Sequence, residues 1–355
     1  MNQHPVQFAL KWNMYGNPPD TPFSEYLKIV QAAEELGFDG VYTIDHIGLP
    51  ATQVDGFSSV ADRSRPSFPE AWTALAAAAA VTKRVKLGPQ VTPITLRHPV
   101  FIAKMATNID LISNGRLVLQ VGTGWNQPEY DAFGFPYDEK FSVRYQKMTE
   151  GVEIIQKLWT EDSPVTYHGQ YYQLQNAPFW PKPVQKPRPP IWFGGTSKKT
   201  QAAVAKYGDA WTPAAPHYTG LDTEEYRAGM DNIRRQAAEC GRDPDSIKPA
   251  ALFYSVIHRE RSRAYELAEN LRRRKEWSTL TVPEMAGNGV AIIGDPDDCL
   301  STIERYIRAG IRYFTIGIVP IRGADAIIEG MRLYSERIFP HFVEDRHGDK
   351  RSQQI

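Results

Sequence analysis

"LVLQVGTGWNQPEY", residues 117–130, carries an apolar strand into two glycines, a tryptophan and an asparagine. A dinucleotide fingerprint would place a third glycine where Gln127 stands, and would follow the first strand of a doubly wound sheet. Here three strand-like runs precede it, so both requirements fail. The stretch reads instead as a strand end at the mouth of a different α/β fold, where reactive residues collect just after each strand.

Working outward, short β-branched runs alternate with amphipathic stretches along the whole chain, the pattern of repeated βα units. Strand-like runs fall at 6–12, 40–45, 85–92, 116–122, 189–194, 209–214, 248–257 and 313–319. Helical stretches fall at 22–37, 69–83, 98–113, 197–206, 221–240 and 297–309, with 325–342 closing the chain. Eight such units predict a (β/α)8 TIM barrel, read as one domain over 1–355. Gly37, Gly115, Gly208 and Gly310 stand where helices should stop. Three segments break the repeat and read as insertions on the C-terminal face: 47–67, about 161–188 and about 274–292. The middle one contains a hairpin turning at His168 and Gly169, then six prolines suited to an extended approach to the fifth strand.

Lys+Arg 41 against Asp+Glu 41 leaves no net field for nucleic acid or an anionic membrane, so a small-molecule ligand is expected. The longest apolar run, 74–81, is too short to span a bilayer, and the first residues lack a signal-peptide pattern, which predicts a cytoplasmic protein. Cys240 and Cys299 have no zinc-like spacing and read as buried thiols, with no metal site.

The strand ends supply the candidate site. Gly122 and Gly124 would let backbone approach a flat ligand, with Trp125 offering a ring face. Asn126, Pro128 and Glu129 also match an N-cap, first-turn proline and capping-box glutamate, which predicts a structural Glu129. In "IWFGGTSKKTQ", Gly194 and Gly195 precede Thr196 or Ser197 at a helix start whose first turn holds Lys198 and Lys199. Cations there oppose the helix dipole, so the arrangement suits a bound phosphate. Asp295, Pro296, Asp297 and Asp298 fill the start of a comparable helix and would repel one. Asp45 and His46 end the second strand as an adjacent acid–base pair. His258 and His217 are weaker candidates, His98 reads as a helix start, and 271–277 ("LRRRKEW") reads as a solvated helix end, with contact to a polyanionic cofactor tail as the alternative. With no nucleophile elbow, H-E-x-x-H or P-loop, the chemistry is expected from a bound cofactor.

These residues resemble the bacterial luciferase-like oxidoreductases, barrel enzymes that use reduced FMN or the deazaflavin coenzyme F420. The motifs occur in that family's order: "TIDH", "NGRLVLQVGTGWNQPEYDAFG", "VRYQKMTEGVEIIQKLW", "YHGQYYQL", "PKPVQKPRPPIWFGGTS" and "YGDAW". The resemblance implies a cofactor phosphate at Gly194, Gly195, Thr196 and Ser197, with Asp45, His46, Thr92, Gly122, Thr123, Gly124 and Asn126 bordering the ring. His46, Trp125 and Asn126 would be catalytic, and Tyr145 matches a tyrosine that contacts phosphate in the FMN branch. It also implies a separate flavin or F420 reductase and a homo-oligomer. "GTGWNQPEYDAFG" and "IDH" look like the deazaflavin branch, whereas Arg144–Tyr145 looks like the FMN branch; the balance favours hydride transfer by F420, with FMN-dependent oxygenation as the alternative. Trp125 stands where sugar-phosphate dehydrogenases of the deazaflavin branch carry glutamate, so that substrate is not carried over. Trp12, Trp125 and Trp211 would line a pocket for an apolar or aromatic substrate. A non-catalytic flavin-binding protein, and a Schiff-base aldolase using Lys11, are the readings from other classes.

Overall fold

The structure, a computed structural model, describes residues 4–14, 20–48, 69–214, 222–269, 279–319 and 323–342. Eight parallel strands form the ring: β1 Gln7–Trp12, β2 Gly40–Thr43, β3 Lys86–Pro89, β4 Leu119–Gly122, β5 Ile191–Phe193, β6 Ala210–Trp211, β7 Lys248–Ile257 and β8 Tyr313–Ile318. Neighbours pair in the order β3-β2-β1-β8-β7-β6-β5-β4. The ring closes through a parallel bridge between Leu87 and Leu117, with Leu87 N donating to Arg116 O at 2.9 Å and Val118 N to Leu87 O at 2.8 Å. A two-residue strand, Thr92–Pro93, prolongs β3 and pairs with β4. A further strand, Ile292–Gly294, pairs in parallel with the end of β7 at Ser255–Ile257; closure leaves the ring itself without a free edge, and the helices cover the outer surface.

Those helices are α1 Phe23–Glu35, α2 Ala71–Val81, α3 Pro99–Ile112, α4 Gln127–Phe133, α5 Phe141–Thr160, α6 Lys198–Tyr207, α7 Thr223–Glu239, α8 Arg261–Ala268, α9 Val282–Asn288, α10 Pro296–Arg308 and α11 Ala324–Leu333. The expected stop glycines Gly37, Gly115 and Gly310 take left-handed φ of 86°, 83° and 106°. Gly208 is extended instead, φ −89°, and an added Cβ there would press on Phe193 and Val204, so packing is what demands glycine. The start of α10 is acidic, as expected, and Asp295 and Asp298 form a capping box there.

Strand alternation sorts the side chains. Ala9, Tyr42, Val118, Trp192, Ala210, Ala250 and Tyr313 pack together inside the ring, while Phe8, Leu10 and Trp12 join the larger core shared with the helices. Trp211 also faces outward: it stacks on Tyr226 of α7 (5.1 Å, 15°) and lies over Gly229, where an added Cβ would come within 2.5 Å of the indole. The expectation that Trp12 and Trp211 line a pocket is therefore corrected; both are fully buried between barrel and helices. Above the apolar floor the interior turns polar, with the Gln90 amide donating to Thr212 Oγ1 and Thr315 Oγ1 at 3.2 Å each.

The middle insertion begins after α5 and forms the antiparallel hairpin Val165–His168/Gln173–Ala177. Its turn is held by Glu150 of α5, whose carboxylate accepts from the backbone N–H of Gln170, Tyr171 and Tyr172. It packs along α5, and Tyr172 meets His98 at the start of α3 edge-on at 5.3 Å. Residues 49–67 of the first insertion, 274–278 of the third, His217 and the 271–277 segment lie outside the described residues. Cys299 is buried, as expected, but Cys240 is exposed at the end of α7. Among the described residues no helix is long and apolar enough to cross a membrane.

Candidate active site at the mouth of the barrel

Asp45 follows β2 with 1% of its surface exposed. Its Oδ2 accepts from Trp72 Nε1 (3.0 Å), Thr92 Oγ1 (2.5 Å) and Arg97 Nη1 (2.7 Å), and Arg97 continues to Glu70, the N-cap of α2. Asp45 Oδ1 has no partner. The carboxylate is thus fixed by one oxygen and offers the other.

His46 meets a residue 83 positions away: its Nδ1 lies 2.6 Å from Glu129 Oε2. Glu129 Oε1 accepts from Ile47 N (2.6 Å) and Gly48 N (3.2 Å), and Asn126 Nδ2 donates to Oε2 at 3.3 Å. The capping-box expectation is overturned, because Asn126 makes no side-chain cap and the Glu129 carboxylate turns to the histidine. Burial would push the Glu129 carboxyl upward, but the His46 hydrogen bond and charge and the two backbone N–H groups outweigh it and hold it below the usual range. A carboxylate on Nδ1 fixes the ring's orientation and leaves Nε2 as the exchanging nitrogen.

The glycine stretch wraps this pair. Gly122 and Gly194 flank the Val91 side chain, where added Cβ atoms would come within 2.7 and 3.0 Å of it. Gly124 has φ +74°, and a Cβ would lie 2.6 Å from Tyr130 Oη, so glycine is required twice over. Thr95 Oγ1 donates to Thr123 O and meets Tyr130 Oη, whose acidity burial lowers to a pKa of about 12. Trp125 is 62% exposed and stands edge-on to His46 at 6.3 Å. Of the three tryptophans expected at the pocket, Trp125 is the one that stands open at the mouth.

Arg144 and Tyr145, neighbours on α5, divide their work. Arg144 donates to Gly124 O, Asp138 O and Glu139 O and so pins the glycine loop. Tyr145 lies 5.7 Å under Lys199 Nζ at the start of α6. There Ser197 is the N-cap, its Oγ accepting from Thr200 N, while Gly195 takes φ +95° with its carbonyl tied to Trp211 Nε1 at 2.8 Å. No bond within the described residues engages the N–H groups of Gly195, Thr196 and Ser197. His98 caps α3 as expected, and His258 Nδ1 accepts from Glu260 N in a turn. Reasoning from sequence gave Glu129 a capping role and missed Arg97, Gln90 and Gln120; the signal for the glutamines was a polar residue inside an otherwise apolar strand.

Buried polar atoms without partners gather at this end: Asp45 Oδ1, Gln90 Oε1, both amide atoms of Gln120, and Asn126 Oδ1. Such groups are normally satisfied, so the mouth offers hydrogen-bonding atoms that a polar ring system could use, with the N–H groups of Gly195, Thr196 and Ser197 beside them for an anion.

The model of the luciferase-like monooxygenase family matches residues 7–313, and the chain belongs to that family. It is 27% identical over 351 residues to an F420-dependent glucose-6-phosphate dehydrogenase of Microbacterium testaceum, covering 95% of this chain and 97% of the relative. It is 36% identical over 201 residues to the pyrimidine monooxygenase RutA of Yersinia enterocolitica, covering 56% of this chain and 52% of RutA. The coenzyme F420-dependent tetrahydromethanopterin reductase of Methanopyrus kandleri shares the fold, with a TM-score of 0.74 at 20% identity over 95% of this chain and 99% of that one.

Proposed function

We infer that this chain is an oxidoreductase that binds reduced coenzyme F420 across the barrel mouth and transfers hydride to or from an apolar or aromatic small molecule. The observation that carries the reading is the His46–Glu129 pair beside Trp125. When bound, the deazaflavin supplies or takes the hydride at its ring carbon. Hydride arriving at a carbon that bears oxygen requires a proton at that oxygen, and His46 Nε2 is the group to deliver it. Glu129 orients the imidazole through Nδ1, and Asn126 steadies the carboxylate. Gly195, Thr196 and Ser197 would hold the phosphate, with Gly194 admitting the close backbone turn and Tyr145 and Lys199 alongside. Asp45, Thr92, Gly122, Thr123 and Gly124 would border the ring, and Trp125 would cover it and limit water. The likeness to an F420-dependent dehydrogenase over nearly the whole of both chains supports this reading.

The phosphate position is tested by Gly195→Asp, which sets a negative charge and a side chain in the anion site. Cofactor affinity, titrated by fluorescence, is expected to fall by more than about tenfold with the circular dichroism unchanged. Unchanged affinity in the folded variant removes the site.

A second reading, FMN-dependent oxygenation fed by a separate reductase, is supported by Tyr145 at the anion loop and by the 36% identical stretch shared with RutA.

A further inference from the structure

The residues assigned to the cofactor occupy one contiguous arc of the ring: the ends of β2, β3, β4 and β5. The opposite arc, β6, β7, β8 and β1, presents a different feature. Lys11 of β1 is 5% exposed and points into the barrel, where its Nζ donates to Tyr254 Oη of β7 at 3.0 Å and lies 4.8 Å from that ring's centre. Gly317 of β8 lies between them, and an added Cβ would come within 2.9 Å of Tyr254 Cδ1 and 3.5 Å of Lys11 Cδ. A side chain on that strand would close the space in which the lysine lies.

No carboxylate of the described residues pairs with this ammonium. A phenol dipole does not neutralise a charge, and burying an unpaired ion is costly. Just past the end of β1, Asn13 is 3% exposed and its Oδ1 has no partner. A buried lysine without a carboxylate partner among the described residues and a buried amide oxygen without a partner thus lie on the arc away from the residues assigned to the cofactor.

We propose that Lys11 is the substrate-recognition residue of this site and selects a substrate that carries a carboxylate, set against Tyr254 and Asn13. The proposal rests on the cofactor arc assigned above for its place in the reaction, but the anion site itself is a property of the chain without cofactor. The apolar rim at Trp125 makes an aromatic carboxylate the matching probe.

The test is calorimetric titration of the cofactor-free chain with benzoate and with benzamide, its neutral counterpart of the same shape. Wild type is expected to bind benzoate at least about tenfold more tightly than benzamide. Lys11→Met is expected to lose that preference, and Lys11→Arg to keep most of it, each with unchanged circular dichroism. Equal benzoate binding by wild type and Lys11→Met, or no benzoate binding by wild type, overturns the proposal. Should Lys11→Met not fold, amine acylation of wild type mapped by mass spectrometry decides: protection of Lys11 by benzoate supports the assignment and its absence overturns it. Failure of either reduced cofactor to bind would sink the functional reading alone, since benzoate is measured without cofactor.

Discussion

At the residue scale the site turns on one hydrogen bond, His46 Nδ1 to Glu129 Oε2. If His46 handles the proton, His46→Ala should lower turnover by roughly 10²-fold to 10⁴-fold while cofactor affinity changes little. Normal turnover would reduce the pair to a packing contact. Glu129 adds a pH signature. Its folded-state pKa lies below the unfolded value, so the carboxylate stabilises the fold above about pH 4.3, the ordinary glutamate pKa, and loses that contribution as pH falls through the lower folded value. Glu129→Gln should therefore melt below wild type at neutral pH, with the gap closing in acid; a gap that does not vary with pH would contradict the assignment. Sequence could not show this pair, because Asn126-Gln127-Pro128-Glu129 spells a helix start and the partner lies 83 residues away.

At the element scale, the strands and most helix ends were legible, since β-branched runs and stop glycines are local signals. Which face each strand residue takes was not. Strands of a parallel barrel are buried on both sides and show no polar alternation, so Trp12 and Trp211 read as pocket residues while they pack against helices. The placement of the hairpin was hidden for a similar reason: its anchor, Glu150, is an ordinary helix residue until the turn folds onto it. Three backbone donors on one carboxylate make a specific prediction. Glu150→Ala should raise hydrogen exchange at 170–172 and expose the turn to proteolysis, with the barrel's circular dichroism retained. Unaltered exchange there would show that the turn is held by something else.

At the scale of the whole molecule, the ring closes between β3 and the start of β4, and Arg116 locks that seam. Its guanidinium donates to the carbonyls of Ala79, Thr82, Val85 and Ser113 and to Thr82 Oγ1. Arg116→Ala leaves these buried acceptors unpaired and should cost about 3 kcal/mol or more, read as a fall in denaturation midpoint. A loss under about 0.5 kcal/mol would mean that the seam does not depend on it. Closure also brings the ends of β2, β4 and β5 around one mouth, which is why residues scattered from Asp45 to Ser197 converge there. That the candidate residues would converge at one mouth was legible because barrel strands end together on one face; the choice of cofactor depends on contacts that the glycine motifs share between two branches. Parallel anaerobic titrations of the full chain with reduced F420 and reduced FMN test the central claim most directly. The account predicts tighter binding of reduced F420, weakened in the Gly195→Asp variant. Tighter binding of reduced FMN, accompanied by oxygen consumption once air is admitted, would contradict it.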